Sequence, residues 1–333
     1  ARPAQTPARP ATGTRAAATG TAYTNPVVDE DVADPFILRV GKTYYAYSTE
    51  VANVQTPVRR STDLVNWQYV GDALPVLPGW AQGGFTWAPE VMPVGNGYVM
   101  YYTARDGASG RQCIGVATST SPEGPFTDRS KEAFVCQTDL GGSIDASPFV
   151  DRDGQRYLYW KNDGNCCNQF TSIWVQKLSA DGTKLVGTAR DLITNGALWE
   201  GNLIEAPNVY RRGNKYYLFY SAAAYDTDTY SVGYAVGTSP TGPFRKQTRD
   251  EPWLFTKGAV SGPGGQGVVT DAAGDTWLFY HAWTTGQVGY ADPSDPSRPG
   301  GVRSLRIDRL TFDASGRPVL RGPTTTEQKQ GPR

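Results

Sequence analysis

Five stretches of this chain follow one pattern: a small or proline-marked entry, a short apolar strand, a polar turn with glycine, and an aromatic strand. They read ADPFILRVGKTYYAYS from Ala33, APEVMPVGNGYVMYYT from Ala88, ASPFVDRDGQRYLYWK from Ala146, APNVYRRGNKYYLFYS from Ala206 and GQGVVTDAAGDTWLFYH from Gly265. Pro35, Pro89, Pro148 and Pro207 are spaced by 54, 59 and 59 residues, and Gly267 follows 60 later. Gly41, Gly97, Gly154, Gly213 and Gly274 sit in the turns, which is hairpin chemistry. A second phrase recurs between copies: IGVATSTSPEGPF from Ile114 and VGYAVGTSPTGPF from Val232. Each unit therefore holds about four strands. The second strands are apolar without alternation, as expected where both faces are covered. A four-stranded antiparallel unit repeated five times predicts an all-β protein, a five-bladed β-propeller with about four antiparallel strands per blade. A stacked sandwich would not need five equal units.

Composition agrees. The chain has 333 residues, with 38 glycines and 12% aromatics, which suits β-structure. Lys plus Arg and Asp plus Glu number 32 each, so no net field marks a nucleic-acid or anionic-membrane partner. No apolar run approaches the roughly 18 residues of a membrane span. A single histidine, His281, excludes any site built on several histidines. Residues 1–22 carry little to bury and are expected as a flexible tail, with the propeller over 23–322 and a C-terminal tail over 323–333.

In a propeller the first strand of each blade lines the axis, and its start opens on one face. Asp34, Asp145 and Glu205 stand at such entries in the first, third and fourth units. Any one alone reads as a turn cap or a solvated acid; three at related positions point to a shared pocket. Carboxylates of unequal environment around a pocket are the equipment of glycoside hydrolysis, one kept protonated and another ionised. Glu90, just past Pro89, reads as structural.

The stretches VADPFILRVGKTYYAYST, TWAPEV, GSIDASPFVD, IEAPNVY, GPGGQGVV and LFYHAW resemble the signatures of glycoside hydrolase family 43, over Tyr23 to Leu320. That family consists of five-bladed propeller enzymes acting on arabinan and xylan. The resemblance implies an inverting mechanism with Asp34 as general base, Glu205 as general acid and Asp145 orienting the acid and raising its pKa. Inversion implies about 6.5–9.5 Å between base and acid, leaving room for water. Trp87 is similar to the family's sugar-stacking aromatic, with a core tryptophan as the alternative. Arg303, in VRSLRIDRLTF, resembles an arginine that contacts sugar hydroxyls, with a surface ion pair as the alternative.

The resemblance implies no cofactor for the chemistry and a possible structural calcium at the propeller centre, with His281 either near that ion or a buried structural histidine. Where the family often reads GPGH, this chain has Gly264-Gly265-Gln266, so calcium here would rest on oxygen ligands and water. The implied substrate is plant cell-wall polysaccharide or oligosaccharide, arabinan or arabinoxylan. The expected activity is an exo-acting α-L-arabinofuranosidase; the alternatives are an endo-arabinanase, a β-xylosidase, or a binding propeller without catalysis. Loops from Lys161, Ala223 and Thr284 are expected to rim the pocket. Cys113 and Cys136, neighbours across one blade, predict a disulfide, which suits a secreted protein. Cys166 and Cys167 are adjacent in a rim loop and read either as a vicinal disulfide or as thiols.

Overall fold

A computed structural model of the chain describes residues 20–297 and 300–333. Of the tail expected over residues 1–22, residues 1–19 lie outside them. Five antiparallel sheets follow one another along the chain. The first blade holds β1 (Phe36–Val40), β2 (Thr43–Tyr47), β3 (Pro57–Ser61) and β4 (Gln68–Asp72). The second holds β5 (Ala81–Val94), β6 (Gly97–Asp106) and β7 (Gln112–Ser119). Its outermost strand is reduced to the isolated bridges Thr118–Thr127 and Ile114–Val135. The third comprises β8 (Ser143–Val150), β9 (Arg156–Asn162), β10 (Ser172–Leu178) and β11 (Leu185–Thr194). The fourth comprises β12 (Ile204–Arg212), β13 (Lys215–Ala222), β14 (Ser231–Gly237) and β15 (Phe244–Lys246). The fifth comprises β16 (Val260–Thr270), β17 (Thr276–Thr284), β18 (Ser304–Phe312) and β19 (Pro318–Arg321). The five-bladed propeller is the fold.

The aromatic second strands explain why the blades stack. Met100 and Tyr102 of β6 face the first blade, whereas Val99 and Tyr101 face the third. Tyr216, Leu218 and Tyr220 of β13 pack toward the third blade, and Tyr217 and Phe219 toward the fifth. Five clusters of buried side chains result, one in each gap between neighbouring blades. Each fully buried Leu or Phe contributes about 1.5–3 kcal/mol. The period of two is present; both of its phases are apolar because both faces are covered.

The ring closes between its ends. Val28 bridges Leu305 of β18, Val32 N–H donates to Arg303 O, and Asn25 Oδ1 accepts the Ile307 N–H. Residues 323–333, read from sequence as a tail, fold back over this seam. Tyr23 bridges Gln328, Thr21 N–H donates to Pro332 O, and Thr324 donates to the buried Asp308.

One backbone feature repeats in every blade and builds the site. Asp34, Ala88, Asp145, Ala206 and Gly265 all have φ between 43° and 57°. Each lies two residues before the one paired with a central aromatic of strand two: Phe36–Tyr47, Glu90–Tyr101, Ser147–Tyr159, Asn208–Phe219 and Gly267–Phe279. The left-handed residue turns the strand entry across the axis. Its N–H, freed from the sheet, needs a partner. In four blades that partner sits two residues past the central aromatic of the preceding blade. Thr49 Oγ1 accepts from Ala88, Thr103 Oγ1 from Asp145, Ser221 Oγ from Gly265, and His281 Nδ1 from Asp34. The fifth such position is Lys161, which has no acceptor to offer, and there Asp145 Oδ2 takes the Ala206 N–H instead.

This register refines the sequence alignment. Asp34 and Asp145 are equivalent, while Glu205 lies one residue before the left-handed position. Pro148 stands two residues beyond the place held by Pro35, Pro89 and Pro207.

Candidate active site

Asp34, Asp145, Glu205, Trp87 and Arg303 line a single pocket of about 560 Å³ on the axis. Three rim loops close its sides: one carries Asp163, Asn165 and Cys166, the next Tyr225 and Asp226, the third Tyr290. Below the acids a narrow hollow continues down the axis, lined by Glu90 and Gln266 among others.

Asp34 is held on both carboxylate oxygens. Thr49 Oγ1 donates to Oδ2 at 2.6 Å, and Arg303 Nη1 to Oδ1 at 3.3 Å. Its backbone N–H donates to His281 Nδ1 at 2.9 Å. Burial, followed by the nearby Arg303 charge, holds His281 well below its usual pKa, so the ring is neutral. Arg303 is buried, and its guanidinium lies over the Tyr225 ring at 4.5 Å while donating to Tyr290 Oη at 2.9 Å. The surface-pair alternative for Arg303 is thereby replaced by a buried contact with Asp34. Trp87 is half-buried and faces the pocket.

Glu205 has different neighbours. Lys161 Nζ donates to Oε2 at 2.9 Å, and Tyr230 Oη to Oε1 at 2.7 Å. Lys161 also lies 3.5 Å from Asp163. Burial would lower Lys161, but the carboxylates of Glu205, Asp163 and Asp145 outweigh it and keep the ammonium charged. Asp145 is pushed up to about 8, first by burial and then by the charge of Glu205, with Lys161 opposing. Near neutral pH Asp145 therefore keeps its proton. Burial also pushes Glu90 well above its usual value, and Ser147 Oγ donates to it at 2.8 Å. Glu90 braces the third blade, in keeping with its structural reading.

The sequence reading missed Lys161, Tyr230 and Thr49. The first and last were visible in principle. With the copies aligned on their central aromatics, one column reads Thr49, Thr103, Lys161, Ser221, His281, and a lysine there is out of place.

The residues do not fit a central calcium ion. Nδ1 of His281 accepts the Asp34 N–H, so the ring proton sits on Nε2, and an N–H donor does not ligate a cation. Gln266 Oε1 already accepts from Ser221, and its Nε2 donates to Ala206 O. Among the described residues no three His, Cys, Asp or Glu side chains converge as ligands.

The disulfide Cys113–Cys136 is present, and Cys166–Cys167 forms a vicinal disulfide.

The model of glycosyl hydrolases family 43 matches residues 23–318. The chain belongs to glycoside hydrolase family 43. It is a glycosidase, and the chemistry of this family needs no cofactor. The crystal structure of a thermostable family-43 glycoside hydrolase superposes with a TM-score of 0.81 at 34% identity, covering 93% of this chain and 99% of the other. A probable arabinan endo-1,5-α-L-arabinosidase A of Aspergillus flavus is 30% identical, over 79% of this chain and 85% of its own length. An extracellular endo-α-(1→5)-L-arabinanase of Thermotoga petrophila is 29% identical over 64% of this chain and 50% of its own.

Proposed function

We propose that this glycosidase releases α-L-arabinofuranose from chain ends of arabinan or arabinose-decorated xylan, with inversion, and that it works outside the cell. Asp34 takes a proton from the attacking water, and Thr49 and Arg303 aim its carboxylate. Glu205 gives a proton to the leaving oxygen, and Lys161 and Tyr230 fix where that proton is delivered. Trp87 forms a face of the pocket against which the sugar packs.

The observation that carries the exo reading is the wall beside Asp34. Arg303 stacks on Tyr225 and bonds Tyr290, Tyr290 packs on Trp283 at 5.0 Å, and Trp283 Nε1 donates to Tyr225 O. The water-activating acid lies on the side of the sugar being released. A braced wall there leaves room for a chain end and blocks a continuing polymer. The endo reading draws on the two endo-acting relatives. A time course on linear arabinan separates them: arabinose alone from the first minutes supports the exo reading, and early mixed oligosaccharides support the endo reading. Two disulfides and a relative named extracellular support secretion.

A further inference from the structure

We propose that the vicinal disulfide Cys166–Cys167 and the amide of Asn165 form the binding site for the leaving-group sugar, an inference that rests on Glu205 being the proton donor. The donor must touch the oxygen that joins the two sugars, so the departing sugar lies on the Glu205 side of the pocket. On that side the chain runs from Lys161 through Asp163 into the short turn Gly164–Cys167, and Asp163, Asn165 and Cys166 line the pocket.

Two features of this turn, whose Asn165 and Cys166 line the pocket, suit a ligand. Asn165 Oδ1 is buried and has no hydrogen-bond partner among the described residues. Such an acceptor costs stability unless something donates to it, and a sugar hydroxyl does so. The second feature is the disulfide itself. Joining adjacent residues closes a small ring that cannot swing away, and Cys166 is exposed on the pocket side. Arg111 Nη1 donates to the ring's sulfurs, 2.7 Å from Cys167 Sγ and 3.5 Å from Cys166 Sγ. The sulfurs offer a polarisable, apolar edge of the kind that packs on the C–H face of a sugar. Platform and acceptor together bind a neutral, polyhydroxylated ring one unit beyond the cleaved bond.

The test compares two substrates of the intact protein: α-1,5-arabinobiose, which carries a leaving sugar, and methyl α-L-arabinofuranoside, which does not. Two variants are measured, Asn165→Ala and the pair Cys166→Ala with Cys167→Ala. The ratio of kcat/KM for the disaccharide to that for the methyl glycoside should fall about tenfold in each, the effect of one lost hydrogen bond or packing face. If the cysteine pair variant does not fold, the asparagine variant decides alone. A ratio unchanged in the folded variants, with both substrates affected alike or not at all, overturns the site. A parent protein that cleaves furanosides while the ratio holds leaves the hydrolase reading standing without this subsite. A parent protein that cleaves no glycoside overturns both.

Discussion

Lys161 Nζ donates to Glu205 Oε2 across 2.9 Å from the one column of the repeat where the other four blades present an acceptor to the next blade's backbone. The exchange has two consequences at once. The Ala206 N–H, deprived of its usual partner, turns to Asp145 Oδ2 at 2.9 Å. The freed cation neutralises the acid that stands next in the chain. A single substitution in a structural latch therefore fixes both Asp145 and Glu205.

Replacing this cation should show in the pH profile. In Lys161→Met the buried Asp145 loses the positive charge that opposes its proton, so that proton is held to higher pH. The alkaline limb of kcat/KM should move upward, and kcat/KM on arabinan should fall by about 10², because the acid is no longer aimed. A purely structural lysine would lower stability and leave the limb where it was.

His281 should behave as an acceptor. His281→Asn keeps an oxygen near the place of Nδ1 and should retain most of the activity. His281→Leu leaves the Asp34 N–H buried and unpaired, at a cost of about 1–3 kcal/mol in denaturant unfolding, with a lower kcat. Equal stability in the two variants would remove the latch from the account.

Asp145 carries a stability signature with a definite sign. Its folded pKa of about 8 lies above the ordinary 3.8, so the native state holds the proton more tightly than the unfolded chain. The stability this provides is fully present below about 4 and is lost as pH rises through about 8. The melting temperature of the parent should therefore drop between pH 6 and 9 by more than that of Asp145→Asn, as followed by calorimetry across that range. The variant should also lose activity.

The fold was legible because a propeller writes its architecture five times over, and turn glycines and aromatic strands mark each copy. The meeting of the three acids in one pocket was legible because strand-one entries converge on the axis. The exact entry was not. Pro148 imitates the entry proline of its neighbours, although the position is set by a left-handed residue that leaves no fixed letter, being Asp, Ala, Asp, Ala and Gly in turn. Tyr225 and Tyr290, which brace Arg303, come from rim loops with no counterpart in other blades, so no comparison of copies could reveal them. The bond between Cys166 and Cys167 depends on the fold of a single turn and stayed open in the sequence for that reason.

The most direct measurement pairs Asp34→Ala and Glu205→Ala on nitrophenyl α-L-arabinofuranoside and on linear arabinan. Without Asp34 the water has no base, and both substrates should lose about 10²–10⁴ in kcat/KM. Without Glu205 arabinan should lose a similar amount, while the nitrophenyl glycoside, whose leaving group departs without a proton, should be largely spared. Equal loss of the two substrates in Glu205→Ala would contradict the assignment of acid and base.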